Sequence, residues 1–262
     1  MRIGFIGFGN MAQAIYEGLT KFGNFKQSDF LITVKSNKSK EKLTKEGFKV
    51  VEIKDLVKNS EVIFIAVKPK DGEKVLKSIA PLLSDQILIS VMAGVPLQKM
   101  EELLPETAKV VRTMPNINVR VGKGVWGLTF GKNLDENDQE KVKKLLETTG
   151  LVVEIDEPLM DAITALAGSG PAFVAEIIDA FAQAGVKLGF SYKEALNIAL
   201  YTLGGTVENL LQTKEHPILF RDRVTSPGGT TIYGLSKFNS HGIKGELMEV
   251  IEEAFVRAKK LS

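Results

Sequence analysis

Short apolar runs alternate with amphipathic segments through the first part of this chain, and that rhythm leaves few folds open. The strand candidates are Ile3–Ile6, Phe30–Val34, Lys49–Val51, Val62–Val67, Ile87–Met92 and Val110–Met114. Helix candidates lie between them at Met11–Phe22, Lys38–Glu46, Leu56–Asn59, Gly72–Leu83 and Leu97–Leu104. Strand–helix alternation of this kind predicts βαβ units and a doubly wound, mainly parallel sheet. Val62-Ile63-Phe64-Ile65-Ala66-Val67 is apolar at every position, as suits a strand covered on both faces. Val125–Phe130 and Leu151–Ile155 flank a charged helix, Asp135–Leu146, and are expected to extend the sheet.

After about Asp156 the pattern changes. Strand signals stop, and helices are expected at Leu159–Ala167, Pro171–Leu188, Tyr192–Gln212, Pro217–Val224, Thr231–Ser240 and Ile243–Lys260. The fold class is therefore α/β, an N-terminal Rossmann-like doubly wound sheet followed by an all-helical domain. The expected division is residues 1–156 and 157–262. Ala172–Leu188 is apolar around much of its circumference, and a helix apolar on more than one face must be buried on more than one side. About a hundred residues give too little core for that, so a second copy is the expected cover. A compact monomeric bundle is the alternative.

Composition excludes several classes. The chain has no cysteine, which removes disulfides, thiol nucleophiles and thiolate metal sites. Two histidines, His216 and His241, make a multi-histidine metal centre unexpected, and both read as loop residues. The net charge of +2 offers no electrostatic footprint for nucleic acid. No apolar run approaches the ~20 residues that span a bilayer, and Arg2-Ile3-Gly4-Phe5-Ile6 enters a strand without a leader pattern. A cytoplasmic protein with no metal, nucleic-acid or membrane partner is expected.

Gly7-Phe8-Gly9-Asn10-Met11-Ala12 follows the first strand and opens the first helix, the context that gives a dinucleotide fingerprint its value. Gly7 permits the tight turn, and Gly9 lets backbone approach a pyrophosphate. Ala12 allows close helix–strand packing, and the amides of Asn10, Met11 and Ala12 face the anion. The second strand ends in Val34-Lys35-Ser36-Asn37-Lys38-Ser39, where an NAD site would carry a carboxylate for the ribose hydroxyls. Ser36, Asn37 and Lys38 instead suit a 2′-phosphate, so NADPH is expected over NADH, with NADH possible. Ala66-Val67-Lys68-Pro69 and Ser90-Val91-Met92-Ala93 end two further strands, and Arg112-Thr113-Met114-Pro115-Asn116 a third. Of these, Ala66, Val67, Lys68, Pro69, Val91, Met92 and Ala93 are expected at the ribose or nicotinamide. Strand-to-loop punctuation explains any one of them alone. Together they describe a cleft at one sheet edge. Trp126 is expected to be sheet packing.

Thr225-Ser226-Pro227-Gly228-Gly229-Thr230-Thr231 offers adjacent amides, two residues without Cβ and hydroxyls. Such a turn forms a concavity for a carboxylate, or is simply a turn. The fingerprint, Ala66-Val67-Lys68-Pro69, Met114-Pro115-Asn116, Gly168-Ser169-Gly170-Pro171-Ala172-Phe173 and this last motif together resemble the pyrroline-5-carboxylate reductase family, along essentially the whole chain and in the family's order.

The resemblance implies NAD(P)H-dependent reduction of Δ1-pyrroline-5-carboxylate to L-proline, the last step of proline synthesis. It implies a helical domain that dimerises by interlocking, with dimers able to assemble further. The substrate would sit between one subunit's nicotinamide and the helical domain, with the partner contributing the Ser-Pro-Gly-Gly loop. Ser226 and the amides around Gly228, Gly229, Thr230 and Thr231 would hold the carboxylate, and the Thr231 hydroxyl, the catalytic group, would hydrogen-bond the ring nitrogen. Thr231 as a helix cap is the alternative. Glu157 matches an acidic position beside the family's substrate pocket, or marks the first turn of a helix. The chain departs from the family at Ile117-Asn118, at Ala167 and at Ile53, which stands where an asparagine often serves the adenosine end. The competing readings are another imine or hydroxyacid reductase of similar architecture and a non-catalytic dinucleotide sensor. A hydroxyacid dehydrogenase would want a lysine on the first long helix of the second domain, and none lies between Pro158 and Gly185.

Overall fold

The computed structural model describes residues 1–261. The chain forms two compact units, Met1–Ser169 with the last residues from Ala254, and Gly170–Glu253.

The first unit is built on one seven-stranded sheet: β1 (Ile3–Ile6), β2 (Phe30–Thr33), β3 (Val62–Ile65), β4 (Ile87–Ser90), β5 (Lys109–Pro115), β6 (Gly124–Phe130) and β7 (Gly150–Glu154), in the order β2-β1-β3-β4-β5-β6-β7. Every neighbouring pair is parallel except β5 with β6. The exception follows from the link. Only a 3₁₀ turn, Ile117–Val121, joins β5 to β6, and a parallel crossover needs a dozen residues or more. Lys49–Val51 does not become a strand: the segment touches β2 through the single bridge Ile32↔Val50. Three residues between turns are too few to sustain a ladder there.

Side-chain alternation divides the buried apolar residues between the two faces. Ile3, Phe5, Val62, Phe64, Ile87, Ile89 and Val111 join one core with α1 (Asn10–Phe22), Leu43 of α2 (Asn37–Lys45) and α6 (Glu136–Glu147). Ile6, Ile63, Ile65, Leu88 and Val110 join the other with α3 (Ile53–Asn59), α4 (Pro69–Ile79) and α5 (Leu97–Glu102). Trp126, wholly buried on β6, is sheet packing as expected, and its Nε1–H donates to Thr149 Oγ1 at 2.9 Å. Trp126→Phe should cost about 1–2 kcal/mol in a urea melt, from the lost hydrogen bond and the small void together. A change below 0.5 kcal/mol, roughly the scale of surface substitutions, would mean the indole is replaceable.

Past β7 the chain turns into α7 (Met160–Ile163) and then a π-helical turn, Thr164–Gly168, closed by Ser169 N–H donating to the Thr164 carbonyl at 2.9 Å. Turns of this type are rare and concentrate at functional sites.

The second unit is helical: α8 (Gly170–Lys187), α9 (Tyr192–Thr213), α10 (Pro217–Arg223), α11 (Thr230–Ser240) and α12 (Ile243–Lys259), whose end groups with the first unit. Helices α8 and α9 form a hairpin that Gly189 turns at φ +104° and that a capping box, Ser191 with Glu194, restarts. His216 is more than a loop residue, since its Nδ1 accepts from the Ile218 N–H at 3.2 Å and caps α10. Large apolar side chains on these helices stand open in the single chain, among them Phe181, Leu188, Ile198, Tyr201 and Leu211. The helical stretch Glu157–Lys187 is long and apolar enough, by length and composition, to cross a membrane. A linear reading finds no such run because Asp161, Glu176 and Asp179 interrupt it. Exposed apolar surface on this scale marks an interaction face.

Candidate active site

The site begins where β1 ends. Gly7 adopts φ +88°, and a Cβ there would lie 2.6 Å from the Ala66 carbonyl oxygen, so the turn holds only with glycine. Its N–H donates to the Thr33 carbonyl at 2.9 Å, while Ala66 N–H donates to the Ile6 carbonyl. The loop between β1 and α1 is thereby tied to the ends of both neighbouring strands. Phe8 turns its ring into the core against Phe5, Tyr16 and Phe48, leaving only backbone on the loop. Gly9 faces open space, with nothing within 4 Å of a Cβ built on it. It occupies the N-cap of α1, no side chain caps that helix start, and no acid stands in its first turn. The amides of Asn10, Met11 and Ala12 thus have no carbonyl partner within the helix, the arrangement that binds a pyrophosphate.

Beside this loop lies a cleft of about 480 Å³ lined by Gly7, Ser36, Val67 and Lys68 among the residues singled out above. Lys35, Ser39, Ile53, Asp71 and Lys74 line it too. Ile53 places an apolar side chain where the family often carries asparagine. Ser36 caps α2, accepting from Ser39 N–H at 3.1 Å, so Asn37 and Lys38 form the first residues of that helix. Pro69 does more than end a strand, since it opens α4. Of the residues after β4, Met92 is buried against Gly72 of α4, while Val91 is half-buried and Ala93 exposed. Asp71 was missed because it sits a full turn beyond the strand end, where only α4's geometry brings it back to the cleft.

Two polar clamps close the far part of this sheet edge. Asn116, buried after β5, donates from Nδ2 to the Ala167 carbonyl at 3.1 Å. Its Oδ1 accepts from the N–H groups of Asn118 and Val125, each at 3.2 Å. One side chain thereby fixes the β5 end, the start of β6 and the π-helical turn. Glu157 Oε1 accepts from Arg112 Nη1 at 2.5 Å and from Leu97 N–H at 2.9 Å, and its Oε2 is buried without a hydrogen-bond partner. Arg112→Met should destabilise the protein by about 2–3 kcal/mol by stranding that carboxylate, less than a fully buried pair because Glu157 keeps a third of its side chain exposed. Adding Glu157→Gln should recover most of the loss in a denaturant melt, and failure to recover would assign the effect to Arg112 packing.

In the helical unit, Ser226-Pro227-Gly228-Gly229 is a tight turn closed by Gly229 N–H donating to the Ser226 carbonyl at 3.1 Å. Gly228 takes φ +68° behind a proline, the type II arrangement that calls for glycine. A Cβ on Gly229 would collide with the Ser226 hydroxyl. With its amide spent on the turn, Gly229 becomes the N-cap of α11, again with no side-chain cap and no acid in the first turn. Thr231 stands at the second helical position, so it does not cap the helix. The amides of Thr230 and Thr231 are left without carbonyl partners in the helix.

Residues 157–261 match the family described as pyrroline-5-carboxylate reductase dimerisation, and residues 2–94 match one described as NADP oxidoreductase, coenzyme F420-dependent. The pyrroline-5-carboxylate reductase of Aquifex aeolicus is 44% identical over 262 residues, covering 100% of this chain and 97% of that protein. The chain belongs to the pyrroline-5-carboxylate reductase family. Pyrroline-5-carboxylate reductase of Methanosarcina acetivorans is 37% identical over 99% of the chain and 97% of its own length. Among solved structures, the Plasmodium falciparum pyrroline carboxylate reductase with NADP bound superposes with a TM-score of 0.87 at 30% identity, covering 100% of this chain and 98% of that one. The Streptococcus pyogenes 1-pyrroline-5-carboxylate reductase gives 0.86 at 33% identity over 99% and 98%. The expected fold class, a Rossmann-like unit followed by a helical dimerisation unit, is the pyrroline-5-carboxylate reductase architecture found here.

Proposed function

We propose that this chain is a pyrroline-5-carboxylate reductase in activity as well as in family, reducing the cyclic imine to L-proline with NADPH, and with NADH as a weaker donor. The observation that carries the reading is the coexistence of a dinucleotide cleft with an uncharged carboxylate cradle at the start of α11. Functionally the chain divides near Asp156, with residues 1–156 serving the dinucleotide and 157–262 serving substrate and a homodimer or larger assembly. The dimerisation family match and the apolar surface open on α8 and α9 support that division.

The residues present fit a dinucleotide. Gly7, Phe8 and Gly9 set the loop, and Asn10, Met11 and Ala12 offer amides to the pyrophosphate. Ser36, Asn37 and Lys38 meet the adenosine end, and Ala66, Val67, Lys68, Pro69, Val91, Met92 and Ala93 take the ribose and nicotinamide side. When bound, NADPH supplies a hydride to the imine carbon. The protein's own work is orientation and charge placement.

Thr230 and Thr231 amides, framed by Ser226, Gly228 and Gly229, hold the substrate carboxylate at the positive end of α11. The Thr231 hydroxyl hydrogen-bonds the ring nitrogen, where solvent provides the proton that makes the carbon electrophilic. No histidine or cysteine acid is needed for that step. Glu157, locked to Arg112, acts through position rather than proton transfer.

Purified protein should oxidise NADPH only when pyrroline-5-carboxylate is added, followed by the loss of absorbance of the reduced ring. Tight NADPH binding with no turnover on that imine would favour a dinucleotide sensor instead.

A further inference from the structure

The cleft beside the dinucleotide loop carries three lysines, Lys35, Lys68 and Lys74, and a single carboxylate, Asp71. Lys35 leaves the end of β2 on one wall, and Asp71 stands in the first turn of α4 on the other. Their charged atoms, Lys35 Nζ and Asp71 Oδ1, are 3.7 Å apart. That is ion-pair distance, but longer than a hydrogen bond, and the lysine side chain is 87% exposed. Such a contact is weak and easily exchanged.

The hydroxyls nearest the same wall have less freedom. Ser36 Oγ accepts from Ser39 N–H and donates to Ser39 Oγ at 2.8 Å, so both serines are committed to starting α2. A 2′-phosphate arriving at this helix start therefore recruits a mobile cation, and Lys35 is the one that bridges the cleft. We infer that Asp71 sets the selectivity between phosphorylated and unphosphorylated dinucleotide by competing for Lys35. With NADH the Lys35–Asp71 pair can persist. With NADPH the dianionic phosphate must draw Lys35 away from the carboxylate, and Asp71 discounts that gain.

This inference rests on the dinucleotide reading of the cleft, so the test reads binding directly. NADPH and NADH would each be titrated by fluorescence at low ionic strength, where exposed charge pairs are least screened. Asp71→Asn is expected to tighten NADPH by about two- to fivefold, the range for a released surface pair, and to leave NADH unchanged. Lys35→Gln is expected to weaken NADPH while sparing NADH. In the double variant the Asp71→Asn gain should vanish, because there is no cation left to release. An unchanged preference in Asp71→Asn overturns the proposal, as does an equal shift for both nucleotides. A gain that survives in the Lys35→Gln background also overturns it, by showing that Asp71 repels phosphate directly. If the unaltered protein bound neither nucleotide, the cleft itself would be misread, an outcome distinct from binding without selectivity change, and both readings would fall.

Discussion

Thr231→Ala is expected to lower kcat for imine reduction about a hundredfold, the scale of losing one positioned hydrogen-bond partner at the reacting atoms. The dissociation constant for NADPH should stay within about twofold, because Thr231 is not among the residues that line the dinucleotide cleft. Thr231 does not cap α11, so removing its hydroxyl leaves the helix start intact. Thr231→Ser keeps the hydroxyl and should restore most of the rate. Steady-state kinetics on the three proteins, with melts to check folding, decide the matter. Full turnover by the alanine variant would take Thr231 out of the chemistry. A matching fall in stability would instead make it a structural residue.

The two glycines of the opening loop should fail in different ways. Gly7→Ala forces a Cβ into a backbone at φ +88° and to 2.6 Å from the Ala66 carbonyl oxygen, so strain and clash act together. A loss of about 2–4 kcal/mol in stability is expected from the left-handed conformation and the forced shift of β1 against β3. NADPH affinity should fall by more than about a hundredfold as the loop amides lose alignment. Gly9→Ala meets nothing within 4 Å in the protein, and its φ is −82°. Stability should therefore hold within about 0.5 kcal/mol, as for a surface change, while the added methyl occupies the space a pyrophosphate needs. Urea melts and nucleotide titrations on both variants separate the cases. Equal destabilisation by the two substitutions would show that Gly9 is a folding residue and not an opening for ligand.

The sheet was legible because its strands are apolar on both faces and its helices carry one apolar stripe. Ile3–Ile6 and Val62–Ile65 needed no tertiary information to be placed. Lys49–Val51 misled because a three-residue β-like segment has no periodicity to test, and only its neighbour β2 decides how much of it pairs. The helical run from Glu157 to Lys187 reads as two helices in the linear pattern because Gly168, Ser169 and Gly170 part them, and its full length emerges only once the π-helical turn joins them. At the site, glycines and the turn proline could be read from stereochemistry alone. Asp71, Asn116 and the Arg112–Glu157 clamp could not. Asn116 reaches Ala167, and Arg112 reaches Glu157, across forty-five residues or more of chain, and nothing local announces such partners.

Among the described residues, four α-helices begin on a side-chain acceptor, Ser36 for α2, Asp135 for α6, Ser191 for α9 and His216 for α10. Helices α1 and α11, whose starts face the proposed pyrophosphate and carboxylate, begin on glycine and have none. A glycine in place of a capping side chain leaves a helix start weaker by only about a few tenths of a kcal/mol, and an anion can take the acceptor's place. Nucleotide and substrate would then complete the secondary structure that receives them, supplying the acceptors that these two helix starts lack. Resistance to proteases would rise with occupancy, and a cell well supplied with both ligands would keep this protein longer than one that is starved of them.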